Sequence, residues 1–183
     1  LNEAHVEELG ALVDNHVHEW ATCDSLSSKV VNLMIKRNNK IAAAVASWKD
    51  SQSIWRLRCC CVAFVKIARF AKHNAMIFDI CTSCLRHQER FVQLGVGWLL
   101  RELSIAALPA VVSFIKRNYE HFTREGLRYA IEKMNKDLRG ELLCYQKPAR
   151  SKSAGGALSS SALFAAAAAA ATTIVAAEQQ KQQ

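Results

Sequence analysis

Arg90-Phe91-Val92-Gln93-Leu94-Gly95-Val96-Gly97-Trp98-Leu99-Leu100-Arg101-Glu102-Leu103 is the stretch whose spacing decides the fold class. Val92, Val96, Leu99 and Leu103 recur at three- and four-residue intervals, the period of one buried face of an α-helix. Downstream, Pro109 fits the first turn of a following helix that runs to about Tyr119, because proline has a fixed φ and needs no donor there. Thr123-Arg124-Glu125-Gly126 offers an N-cap for a final helix through about Leu143.

The same period continues upstream. Ala75 to Leu85 reads as a short helix. Ile54 to about Ala71 reads as a longer one, with Ile54, Leu57, Cys61, Phe64 and Ala68 as its core stripe. Lys49-Asp50-Ser51-Gln52-Ser53 is a polar link in which Ser51 or Ser53 caps that helix. Ile41 to Trp48 is a short Ala-rich helix. From Ser25, the stripe Leu26, Val30, Leu33 and Met34 predicts a helix that ends at Lys36-Arg37-Asn38-Asn39, where cations suit the helix dipole and Asn tolerates a left-handed φ. Residues 2–13, with Ala4, Leu9, Leu12 and Val13, form a first amphipathic helix, and Asn15-His16-Val17-His18 breaks its pattern.

Only two prolines and seven glycines occur in 183 residues, too few for a strand-rich domain with its many turns. The expectation is an all-α fold. Helices of ten to eighteen residues joined by short links describe an α-solenoid of HEAT-like units, although no strict residue-level repeat is present. The formal net charge of +8 suits a phosphate backbone as a partner without requiring one. Seven cysteines, three of them consecutive at Cys59-Cys60-Cys61, do not form a disulfide framework, which points to a reducing, intracellular setting in the nucleus or cytoplasm. The chain opens on Leu1 without a signal-peptide pattern, so a fragment whose N-terminal part is missing is expected. The domain is predicted over residues 1–147. Residues 148–183 form a low-complexity Ser-, Ala- and Gln-rich tail, and its apolar run of sixteen residues falls short of the about 20 needed to span a membrane.

Four motifs then carry a family resemblance. The run from Arg90 to Leu103 resembles the "WxLRE" helix of AlkD-like DNA alkylation repair proteins. Phe122-Thr123-Arg124-Glu125-Gly126-Leu127-Arg128-Tyr129-Ala130-Ile131-Glu132 is similar to the segment on the C-terminal side of that helix in the family. Ile54-Trp55-Arg56-Leu57-Arg58 resembles the family's "NIWxxR" helix start, and Trp20 with Asp24 its W-x-x-x-D element. Together the motifs cover residues from about 15 to 135.

The resemblance implies a HEAT-like fold whose basic concave face wraps duplex DNA. It implies a glycosylase that releases 3-methyladenine and 7-methylguanine without flipping the base into a pocket, acting as a monomer with no cofactor, metal or membrane. Carried over residue by residue, it implies Asp24 as the catalytic carboxylate, Trp20 and Trp98 as cleft aromatics, and Arg58 as the cleft arginine that holds a nearby phosphate. Arg101, one turn after Trp98, is a second phosphate candidate. The chemistry suits these residue types. A cationic alkylated purine is already a good leaving group, so the oxocarbenium-like sugar is what needs an anion and electron-rich aromatic faces. The chain departs from the family at Ala21, where a second Trp often stands, and only about nineteen residues precede Trp20.

Each residue also has a plainer reading. Asp24 could cap a helix by accepting the N–H of Ser27. Trp98 could be core, although Gly95 and Gly97 hint at an exposed groove beside it. Arg58 could pair with Asp50 or Glu89. Cys81-x-x-Cys84-x-x-His87 offers three zinc ligands without a fourth and reads as buried thiols. A non-catalytic HEAT-like module binding DNA or a protein is the alternative to an enzyme. The two are separated by whether Trp20, Asp24, Arg58 and Trp98 converge on one concave, basic surface.

Overall fold

The computed structural model describes residues 3–146. The chain divides into two units, Leu1–Lys147 and Pro148–Gln183. The tail assigned to residues 148–183 lies outside the described residues. Within 3–146 the chain is all-α. Helix α1 spans Glu3–His16, α2 Trp20–Leu26, α3 Asn32–Arg37, α4 Asn39–Ala46, α5 Ile54–Ala68, α6 Asn74–Cys84, α7 Arg90–Arg117, α8 Arg124–Ala130 and α9 Lys136–Leu143.

The architecture is an α-solenoid in two layers. In the inner layer α2 packs on α5, α5 on α7, and α7 on α8. In the second layer α4 and α6 pack together, and α6 meets the far end of α7 through the stacked rings of Phe78 and Phe114, 5.1 Å apart. Helix α5 is the centre. From Leu57 to Ala68 every residue but Lys66 is buried, as expected of a helix with neighbours on all sides. The predicted stripe is therefore buried at Leu57, Cys61, Phe64 and Ala68, along with most of the residues between them, and half-buried at its first member, Ile54. Ser53 caps this helix by accepting the Arg56 N–H at 3.3 Å.

The helix from Trp20 to Arg37 is continuous but not uniform. Between α2 and α3, Ser27–Val31 forms a π turn, and the backbone stays helical on both sides of it. A π turn adds one residue to a helical turn and advances the following side chains by about 100°. This is why the expected stripe holds only at its ends, with Met34 buried and Leu26 half-buried. Val30 and Leu33 are 43% and 50% exposed, while Cys23, Ser27, Val31 and Ile35 face the core at intervals of four. Ser27 donates to the Cys23 carbonyl at 2.6 Å, and Asn32 donates to the Ala63 carbonyl of α5 at 2.7 Å, so polar groups stitch the turn to its neighbour.

Other boundaries also differ from expectation. Asn38 stops α3 in an extended conformation (φ −152°), not a left-handed one, and its side chain caps α4 by accepting the Lys40 N–H at 2.8 Å. In α1 the buried positions are Val6, Gly10 and Val13, followed by Val17 just past its end, while Ala4 and Leu12 are exposed. Pro109 does begin a new helical segment: α7 bends at Ala107 (φ −143°, ψ 47°), two residues before it. The last predicted helix is broken into α8 and α9 by residues 131–135, where Ile131 and Met134 turn into the core and Asn135 caps α9 at 2.9 Å.

Gly95 and Gly97 do not open a groove beside Trp98. Both are buried where α7 meets its neighbours. A Cβ on Gly95 would touch Cys61 of α5 at 3.3 Å, and one on Gly97 would stand 2.8 Å from the Gly126 carbonyl oxygen of α8. The second contact is with backbone, which cannot swing aside. Gly97→Ala is therefore expected to push α8 away from α7 and to destabilise the fold by about 1–3 kcal/mol. Chemical denaturation measures this, and unchanged stability would mean that the two helices are free to separate.

Candidate functional site

Trp20, Asp24, Arg58 and Trp98 converge on one cleft of about 710 Å³. Its walls come from α2 on one side and α8 on the other, with the start of α5 and the first half of α7 between them. Trp20 and Asp24 lie one turn apart on α2, so both point the same way. Trp20, first in its helix, is 53% exposed at the rim. Trp98 is half-buried and projects from α7, and Phe91 and Leu94 line the cleft beside it.

Asp24 lies inside α2 and does not cap it. The residue at the cap position is Glu19, whose side chain makes no capping bond. The partner of Asp24 is Arg58, which donates from Nε to Oδ1 and from Nη2 to Oδ2, both at 2.8 Å. This two-point geometry fixes the carboxylate plane. The remaining arm, Nη1, donates to the Phe91 carbonyl at 2.7 Å. The arginine side chain is 7% exposed and the aspartate side chain 17%. Arg58 thus pairs neither with Asp50 nor with Glu89, and all three arms of its guanidinium are engaged. Its place in the cleft is to hold the carboxylate.

Arg101 does not line the cleft. Its guanidinium stacks 4.6 Å above the Tyr129 ring and pairs with Glu132 and Glu102. Glu102 is the most deeply buried acid described, at 1% exposure. It accepts from Arg69 at 2.6 Å and Lys133 at 2.8 Å, as well as from Arg101 at 3.2 Å. Burial pushes its carboxyl up, but the hydrogen bonds from Lys133 and Arg69 outweigh that effect and hold it below the ordinary range. Tyr129, also in the cleft lining, has its phenol pushed up by burial and so stays protonated near neutrality.

Several lining residues carried no role in the sequence reading: Arg90, Glu125, Arg128, Tyr129 and Glu132. Four of them lie in the segment from Phe122 to Glu132. Their signal was the i, i+3 and i+4 spacing of Glu125, Arg128 and Tyr129, which puts one polar stripe on one face of α8, with Glu132 in the turn that follows it. Buried Gln93 sets where α8 begins. Its amide nitrogen donates to the carbonyls of Leu85, His87 and His121, and its oxygen accepts the Thr123 N–H at 3.0 Å. Of the suggested zinc ligands, Cys81 and Cys84 are buried thiols. Among the described residues no three His, Cys, Asp or Glu side chains stand close enough to hold a metal.

These pairs set two expected outcomes. Arg58→Ala leaves a mostly buried carboxylate without its partner and is expected to cost about 3–5 kcal/mol of stability; a loss under about 1 kcal/mol in denaturant titration, the range of an exposed pair, would contradict the clamp. Glu102 has a folded pKa below its unfolded one, so its contribution is complete above pH 4.5, the ordinary value, and is lost as pH falls through the folded value. Glu102→Gln should therefore be less stable than the parent at about pH 7, with the gap narrowing below about pH 4. Thermal melts across pH check this, and a gap that stays constant with pH would count against it.

The sequence profile of the DNA alkylation repair enzymes matches residues 1–134, a span that contains every residue lining the cleft. No curated protein and no solved structure matched the chain. With the fold, the cleft and a match over most of its length in agreement, the chain belongs to the DNA alkylation repair enzyme family, and its role is in the repair of alkylated DNA.

Proposed function

We propose that the protein is a DNA glycosylase that excises cationic alkylated purines, 3-methyladenine and 7-methylguanine, from duplex DNA. The observation that carries this reading is the convergence of an exposed Trp20, a clamped Asp24 and a half-buried Trp98 on one cleft. In the reaction the bond between sugar C1′ and the purine nitrogen breaks, and the base leaves neutral because alkylation had already given it a positive charge. A water oxygen then bonds to C1′ and gives up a proton.

Asp24 faces the positive charge that develops on the sugar and can accept the proton of the attacking water. Arg58 holds the plane of the carboxylate in one orientation, so the anion does not have to reorient as charge appears. Trp20 and Trp98 offer ring faces to the deoxyribose, where their quadrupoles favour a cation.

Hydrolysis fits the site better than alkyl transfer to a thiol. No cysteine is among the residues that line the cleft. Cys23, next to the proposed catalytic residue, is fully buried and donates to the Trp55 carbonyl on the core side of α2, although a hydrogen bond from Cys59 lowers its pKa.

The test is release of free 3-methyladenine or 7-methylguanine from methylated duplex DNA, measured by chromatography. The intact protein should release base, and Asp24→Asn should do so at least about 100-fold more slowly. Equal rates would remove Asp24 from the mechanism. Duplex binding without any release would favour the non-catalytic module.

A further inference from the structure

The charges of the cleft cancel in pairs, with one exception. Its lining holds Arg58, Arg90 and Arg128 against Asp24, Glu125 and Glu132. Arg58 is committed to Asp24, and Arg90 bridges to Glu125 at 2.5 Å. Glu132 is taken by Arg101 from outside the lining. Arg128 remains. It is exposed, and among the described residues it makes no hydrogen bond, ion pair or ring contact.

Its isolation has a structural cause. Glu125 stands three residues before Arg128 on α8, a spacing at which a helix ordinarily forms its own ion pair, and Glu132 lies four residues after it, in the turn that follows α8. Both acids are instead claimed by arginines of α7, Arg90 at its start and Arg101 three turns on. A guanidinium deprived of both local partners, inside a cleft whose other charges are matched, is left to bind one monovalent anion. Arg117, on the last turn of α7, is likewise exposed but does not line the cleft.

We propose that Arg128 is the phosphate-binding residue of the cleft and takes a backbone phosphodiester from the α8 wall, across from Asp24. The proposal rests on the reading that duplex DNA enters the cleft. It gives Arg128 the task expected of Arg58 and Arg101, whose guanidinium groups are already engaged within the protein. An arginine free of fixed partners can direct two parallel N–H groups at two phosphate oxygens, and one positive charge matches one phosphodiester. That contact would hold the strand so that the sugar of the damaged nucleotide lies between Trp20 and Trp98. Arg128 thus acts on substrate position and leaves the chemistry to Asp24.

The experiment is a salt titration of duplex binding, read by fluorescence anisotropy on labelled DNA without a lesion, so that no excision intervenes. Intact protein, Arg128→Gln, Arg128→Lys and Arg117→Gln are compared, with thermal melts to show that each is folded. Arg128→Gln should bind about tenfold more weakly near 0.1 M salt. Its slope of log affinity against log salt should be shallower by about 0.9, the value of one lost phosphate contact. Arg128→Lys should keep the parent slope with weaker binding, because it retains the charge and loses the fork. Arg117→Gln should keep both slope and affinity. A parent slope in Arg128→Gln, with the intact protein binding DNA, overturns the proposal and leaves the cleft's DNA reading standing. If the intact protein shows no salt-dependent duplex binding, that reading falls and the proposal falls with it.

Discussion

The two-point bond between Arg58 and Asp24 is the constraint on which the site depends. Two opposite charges lie mostly out of water between α2 and α5, and at this depth neither is tolerated without the other. The third arm of the guanidinium reaches a carbonyl on α7, so one side chain joins three helices of the inner layer. Trp20, one turn from Asp24, and Phe91, whose carbonyl is bound, take their places in the cleft from the same clamp. Without it the helices could still pack through apolar contacts, but nothing would fix the direction of the carboxylate.

Around that clamp the chain keeps helices close by removing side chains and by bonding buried polar groups such as Gln93 and Glu102 across the helix contacts. Gly95 lets α7 settle against α5 beside Arg58, and Gly97 lets α8 settle against α7. Gln93 gathers three carbonyls and one N–H from the segments leading into α7 and α8. Glu102 collects cations from the end of α5, from α7 itself and from the segment after α8. The cleft is thus held by polar bonds at both ends of its floor and by close backbone contact between them.

Much of this was legible in the sequence, and the rest has identifiable physical reasons for not being so. Helical period, the Ser53 and Thr123 caps and the bend near Pro109 are local properties, set within a few residues, and they were readable. The cleft residues Trp20, Asp24, Arg58 and Trp98 were found through motif resemblance. What joins Asp24 to Arg58 is a contact across 34 positions, and no local spacing announces it. The free state of Arg128 depends on two further long-range pairs that remove its neighbours, so it emerges only from the whole charge map. The displaced stripe of Val30 and Leu33 came from assuming one helical period throughout, where the backbone changes its period at Ser27.

The π turn at Ser27–Val31 also changes what kind of alteration this segment can bear. It stores one residue more than an α-helix of the same rise, as a single insertion would leave behind. Shortening the chain there by one residue would restore an ordinary helix with its core-facing half still in place. The half before it would turn by about 100°, carrying Trp20 and Asp24 away from the cleft without changing either of them. In this segment the length of the chain is as much a part of the site as the identity of its side chains.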